Sequence, residues 1–403
     1  MPRNRVIYQS DALFVTTGTA NPTGTHASTD IAQLHRVQSA NYGFNVSRQD
    51  INQFGNLARI DSIILEAPTV NLDFTYYLHD GTNEKLLGFI TGETSTGLTT
   101  ATNNSFLSGL LDTNTVSTSL VAAVGGGHTI SGRNYFIFTS PEGVDANGAA
   151  LTGTSSISTS SNTIGIGNAY VTNYSVEASV GSIPTVSVSL EGSNINVVSG
   201  SSGTVPGTTT EANATGAFQF QLPDPVSGSL GLSALRPGDI YMSLEEGLLT
   251  DLPTGDSDSN TAAHIQSFSI EIPIGRTTLQ RIGNAFGYTK VVDFPLEVTV
   301  NVSANVADLK DGTGGGGPNS NLTNLLTSDA SKTLTFQFGD SSKNSKIAYT
   351  VKGCKVVSEN FSSSIGDNKT VDIVFSAQIG GPTDSLNGVF VGKTANLATP
   401  GNT

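Results

Sequence analysis

The sequence predicts a mainly β protein made of two tandem copies of one domain, each a β-sandwich or partial barrel with one short α-helix. Three observations carry that expectation. Val, Ile, Tyr, Phe and Thr alternate with small polar residues along many segments, the pattern of half-buried strands. Two stretches of the chain repeat in two others at fixed spacing, the signature of an internal duplication. Charged residues make up 13% of the chain, against roughly 25% in ordinary globular proteins, and Gly (45), Ser, Thr and Asn take their place.

The elements follow in order. Residues 37–57, VQSANYGFNVSRQDINQFGNL, align without a gap with residues 265–285, IQSFSIEIPIGRTTLQRIGNA, at an offset of 228. Gln38/Gln266, Ser39/Ser267, Arg48/Arg276, Gly55/Gly283 and Asn56/Asn284 are identical. Tyr42, Phe44 and Val46 alternate as a strand does, and Ile270, Ile272 and Ile274 repeat the alternation. The next strand runs from Pro68 through Val70, Leu72, Phe74 and Tyr76, and its counterpart from Pro295 through Leu296, Val298, Val300 and Val302. A proline at a strand entrance is tolerated because it need not donate there. Asn104–Asp112 and Ser320–Thr327 each offer a capping group ahead of an apolar i, i+3, i+4 set and predict one short helix per copy.

Residues 171–190 match 356–375 at an offset of 185, each reading as strand, glycine turn and strand. The fall in offset assigns the first copy an insertion of 43 residues (228 − 185). It is expected in 113–165, with a short strand of its own at Tyr135–Phe138. Residues 199–217 have the Gly/Ser/Thr composition of a linker. The predicted division is therefore 1–198, a linker at 199–217, and 218–403. Residues 238–244, GDIYMSL, parallel Arg5–Ser10 ahead of the first copy.

Composition excludes several functions. With 33 acidic and 19 basic residues the net charge is −14, which argues against a basic nucleic-acid grip. An acidic surface repels phosphate, so DNA near it does not stick. The single cysteine, Cys354, rules out an intrachain disulfide and any cysteine-based metal cluster. It lies in a strand-like run and reads as a small buried residue. No stretch approaches the ~18 apolar residues of a membrane helix, and no apolar signal core follows Met1, so a soluble protein made in the cytoplasm is expected.

Candidate chemistry is sparse. Gly314–Gly317 is followed by Pro318 rather than the Lys-Ser/Thr of a phosphate loop, which favours a flexible loop. Asp251, Asp256, Asp258 and Asn260 lack the spaced Gly and distal Glu of a calcium loop. The five histidines form no paired motif, and no GxSxG occurs. The absence of Trp and 7% aromatics argue against a carbohydrate-active site. No catalytic, metal or cofactor residue is predicted, and the chain is read as a non-enzyme. Arg48 and Arg276 share one repeat position, where an Arg either caps a turn or makes an interface contact on a projecting loop.

The strand–long loop–strand segments at 37–78 and 265–302, the one helix per copy and the closing hairpins at 170–190 and 355–375 resemble the major tail tube proteins of long-tailed bacteriophages. Some members of that family fuse two tube domains per chain. The resemblance implies a virion protein, assembled in the host cytoplasm, whose chains form trimeric rings of pseudo-sixfold symmetry. These rings would stack into a tube, contact other tail proteins, and pass DNA without holding it. It further implies that the loops 47–60 and 275–290 reach the adjacent ring, with Arg48, Asp50, Ile51, Phe54, Asn56, Arg276, Leu279, Arg281, Ile282 and Asn284 as contact candidates. The strand acids Asp73, Glu177, Glu297 and Asp372 are the candidates for the bore. A head decoration or fibre protein shares the same low charge and Gly/Thr richness, and predicts discrete oligomers instead of open tubes.

Overall fold

The computed structural model describes residues 11–16, 31–64, 68–89, 93–94, 97–98, 133–140, 162–199, 202–204, 217–219, 240–244, 263–280, 282, 289–306, 331–339, 345–362, 370–380, 384 and 386–392. The protein is mainly β. Its first strands are β1 (Asp11–Thr16), β2 (Ile31–Gln33), β3 (Val37–Asn45), β4 (Arg48–Ile51), β5 (Asp61–Ile64) and β6 (Thr69–Tyr77). Helix α1 (Thr82–Leu87) follows, then β7 (Glu93–Thr94), β8 (Gly97–Leu98), β9 (Arg133–Thr139), β10 (Asn162–Ser179), β11 (Thr185–Gly192) and β12 (Asn194–Ser199). A small pair, β13 (Ser202–Thr204) and β14 (Ala217–Gln219), precedes β15 (Ile240–Leu244), β16 (Ala263–Pro273), β17 (Arg276–Leu279) and β18 (Thr289–Val292). The chain closes with β19 (Leu296–Val306), β20 (Lys332–Gly339), β21 (Ser345–Ser362), β22 (Thr370–Ile379) and β23 (Gly388–Gly392).

Eight of these strands form one continuous antiparallel run in the order β3-β6-β11-β10-β16-β19-β22-β21. Alternation in the sequence decides which face is buried. In β6, Val70, Leu72, Phe74 and Tyr76 point inward and are buried, while Thr69, Asn71 and Asp73 point outward. The inward rows of the six inner strands, β6, β11, β10, β16, β19 and β22, join one core. Each fully buried Val, Leu or Phe there contributes about 1.5–3 kcal/mol relative to exposure.

The two halves repeat one another in order and in register. Tyr42 pairs with Leu72 as Ile270 pairs with Val300, and both ladders skip a residue, at Gln38 and at Gln266. Val176 pairs with Val186 as Phe361 pairs with Val371, and both ladders skip again, at Thr172 and at Val357. A bulge bends a strand and strengthens its twist, so bulges at matched positions keep the two quarters of the sheet alike. The second strands correspond as Val70/Val298, Leu72/Val300, Phe74/Val302 and Tyr76/Ala304. This is two residues off matching the two apolar sets in order from their prolines, Val70 with Leu296, because cross-strand hydrogen bonds, and not the order of apolar residues, set the register.

A second layer covers the buried face. In the first half it runs β2-β1-β9-β10-β12, and in the second β15-β20-β21-β23. The 18-residue strands β10 and β21 belong to both layers. They turn from one layer to the other at Asn168 and Gly353, which occupy the same repeat position and both have positive φ, 51° and 77°. Gly and Asn are the residues that take this conformation at least cost.

Several expectations need correction. β15 pairs with β20 as β1 pairs with β9, so the 238–244 segment corresponds to Asp11–Thr16; Arg5–Ser10 lies outside the described residues. The strand expected at 135–138 is β9, but it matches β20 and therefore belongs to the repeated framework and not to an insertion. The offset there is 199, which divides the 43 extra residues into 29 (228 − 199) before β9 and 14 (199 − 185) after it. The helices expected at 104–112 and 320–327 lie outside the described residues. Helix α1 is the one helix among the described residues, and its six residues between Gly81 and Gly88 are too few to show a helical period. Within and just after the expected linker, β13 pairs with β14.

Candidate assembly interface

An open sheet ends in two strands with unpaired backbone groups. Here one is β3. The other is the second half of β21, Lys355–Ser362, which pairs with β22 on one side only among the described residues. Both edges carry large apolar side chains on the face that is buried elsewhere in the sheet. Tyr42 is 49% exposed and Phe44 52%, whereas Ile270 and Ile272 at the same repeat positions are 0%. Phe361 is 45% exposed, whereas its counterpart Val176 is 0%.

The middle of the sheet explains the difference. There β10 and β16, which correspond to β21 and β3, pair with each other: Tyr174 with Ile272, Val176 with Ile270, Glu177 with Ser269. Two further backbone bonds extend the ladder, Val180 N–H to the Gln266 carbonyl and Ile274 N–H to the Thr172 carbonyl, each 2.8 Å. Arg276 closes the end of this junction. Its Nε donates to the Val171 carbonyl at 3.2 Å and its guanidinium lies over the Tyr170 ring, 5.2 Å from the centroid. Burial pulls its pKa down to about 10. Arg276 is therefore engaged inside its own chain and is not free on a projecting loop. Arg48, its repeat partner, is exposed.

Two hairpins rise from one end of the sheet. In β4–β5, Arg48 pairs with Ile64 and Ile51 with Asp61; in β17–β18, Arg276 pairs with Val292 and Leu279 with Thr289. The first hairpin is exposed at every residue from Arg48 to Ile64 except Ser62, and Arg59 holds Asp50 at 2.9 Å across it. Its turn uses Gly55 at φ 94°, with the Asn56 N–H bonded to the Gln53 carbonyl at 3.1 Å. Phe54 and Leu57 are 104% and 111% exposed, and Ile282 of the second loop 107%. Leu279 is half-buried. Arg281 and Asn284 lie outside the described residues. Ile51, Ile60, Ile63 and Ile64 add to the apolar surface of the first hairpin.

The face of the eight-stranded run that none of the described elements covers is bare and polar. Asp73 sits between Asn41 and Ser189, Glu177 between Thr185 and Ser269, Asp372 between Ser303 and Asn360, and Glu297 beside Gln378. All four acids are exposed and share this one face, with Glu271 among them. Ser, Thr and Asn fill most of the remaining outward positions, and Lys355 adds a single cation.

Beneath the sheet lies a polar cluster that sequence reading missed. Glu84 of α1 is buried and its Oε1 accepts from Tyr76 at 2.7 Å, Tyr174 at 3.0 Å and Tyr349 at 3.4 Å. The Tyr174 and Tyr349 hydroxyls are 2.7 Å apart, so the cluster joins the two halves of the chain. Desolvation raises the Glu84 pKa against the lowering effect of these hydrogen bonds. Among the described residues, no group of three His, Cys, Asp or Glu is arranged to hold a metal ion. No helix there is long and apolar enough to cross a membrane. No protein-family model matches the chain, and no curated protein matches it in sequence.

Proposed function

We propose that this chain is a structural virion protein that polymerises, as stacked rings, into the tail tube of a long-tailed bacteriophage, the conduit for DNA during ejection. The observation that carries the reading is the repeat itself. A sheet whose first half joins its second half through β10 and β16 ends in the equivalents of those same two strands, β21 and β3. Adding chains edge to edge then continues one sheet, and closing it removes the exposed edges. The joining surfaces differ, so the contact is heterologous, the kind that makes a ring when its rotation closes.

Among the described residues, the second layer lies on one face of the sheet. In a closed ring the covered face takes the outer, longer circumference and the bare polar face takes the bore. Three chains of eight strands exceed the 16–18 strands that already leave an aqueous channel. A bore of Ser, Thr and Asn with Asp73, Glu177, Glu297 and Asp372 would repel phosphate and let DNA pass. The apolar hairpins project along the ring axis, where Phe54, Leu57 and Ile282 would be covered by the next ring. The chain's role is then mechanical and needs neither cofactor nor catalytic group. Negative-stain microscopy of the purified protein tests this: rings or tubes with an axial channel support it, and discrete particles without a channel refute it.

A further inference from the structure

We propose that β21 of one chain adds to β3 of the next in the register of the internal β10–β16 junction, and that the Arg48 guanidinium of that next chain seals the joint by donating to the Val356 carbonyl of the first. This rests on the ring reading and assigns the contact that makes the ring. The internal junction supplies the template residue by residue. Val176 opposite Ile270 becomes Phe361 opposite Tyr42, Tyr174 opposite Ile272 becomes Glu359 opposite Phe44, and Glu177 opposite Ser269 becomes Ser362 opposite Asn41. The Ile274 N–H bond to Thr172 becomes a Val46 N–H bond to Val357. Arg276 on Val171 becomes Arg48 on Val356.

Three features of the free edges fit this joint. Tyr42, Phe44 and Phe361 leave water on the face where their counterparts are fully buried, and a one-residue slip would turn them to the polar face. The bulge at Val357 gives β21 the bend that Thr172 gives β10, and the bulge at Gln38 gives β3 the bend that Gln266 gives β16, so the ladder can continue across chains. Glu359 Oε1 is buried with no hydrogen-bond partner; desolvation already raises the pKa of this carboxyl. On the next chain, Tyr42 lies diagonal to it, within the reach of a long side chain, and its hydroxyl can donate. Lys355 stands where Tyr170 stacks on Arg276, so the ring-stacking half of that contact is not repeated. The donation to a carbonyl does not depend on it.

Cysteine pairs test the register in the full chain, with Cys354→Ala as background. Asn41 and Ser362 lie on opposite edges of the eight-stranded run, so a disulfide between them must join two chains. Asn41→Cys with Ser362→Cys should give disulfide-linked multimers on mild oxidation of the assembled protein. Asn41→Cys with Asn360→Cys, two residues off register, should give at least tenfold less. Arg48→Ala should lower the fraction of assembled chains at least tenfold in sedimentation, with an unchanged circular dichroism spectrum, and Arg48→Lys should not restore it because lysine has a methylene, not a donor, at the position of Nε. Rings or tubes that form without the matched crosslink, or that crosslink equally in both pairs, overturn the register while leaving the ring intact. Rings at full yield in Arg48→Ala overturn the role of that side chain. A folded chain that forms no higher species overturns both this inference and the proposed function.

Discussion

Glu84 is the residue whose surroundings most constrain the molecule. A buried carboxyl that accepts from three tyrosines compensates part of its desolvation, and removing it leaves three buried hydroxyls to find new partners. Glu84→Ala should therefore destabilise the fold by about 1–3 kcal/mol or more, read from the denaturant midpoint. The pH dependence has a definite sign. Burial raises the folded pKa of Glu84, so the folded chain holds this proton more tightly than the unfolded chain does. The resulting stabilisation is fully present below the unfolded value of about 4.3 and is lost as the pH rises through the folded value. Glu84→Gln should remove that loss and flatten the stability profile across the window. Cys354 is the opposite case, a residue whose character the sequence makes plain. It occupies the repeat position of Ala169, is buried, and has its thiol pushed up to about 12 by burial. It should resist thiol reagents until the chain unfolds, and Cys354→Ala should cost less than about 1.5 kcal/mol.

At the scale of elements, strands and their partners were legible wherever alternation and repetition coincide. Residues 37–46 and 265–274, and the two closing hairpins, needed no structure to be paired as repeats. What was not legible follows from the same physics. Helix α1 is a single turn and a half between two glycines, too short for a periodic signal. The strand at 135–138 was legible, but its place in the repeat was not, because its partner β20 shares almost no identity with it. Arg48 and Arg276 looked equivalent, and the structure separates them: one neighbour exists inside the chain and the other does not. Tyr42 and Phe44 could have been marked as a covered edge from their match to Ile270 and Ile272, since aromatic residues on an inward row imply a partner. The first hairpin is expected to act between rings. Deleting 50–58 removes Phe54 and Leu57 and leaves the sheet untouched, so the subunits should fold and close into rings but fail to grow long tubes. Unchanged tubes in the electron microscope would sink that role.

At the scale of the molecule, a chain with a net charge of −14 directs several acids to one bare face of its sheet. That asymmetry makes a prediction about DNA. Assembled protein should not retain duplex DNA at moderate salt. Replacing Asp73, Glu177, Glu297 and Asp372 together by Lys should make it do so, with an affinity that falls steeply as salt rises. Salt-independent retention, or none, would put these acids elsewhere than on the DNA path. The most direct measurement is an electron-microscopic reconstruction of the assembled protein at a resolution that separates strands. The account predicts a closed barrel of three chains, continuous across β21 and β3, with Asp73, Glu177, Glu297 and Asp372 facing an open channel. A particle in which β3 and β21 remain unpaired, or in which the bare polar face lies on the outside, would contradict it.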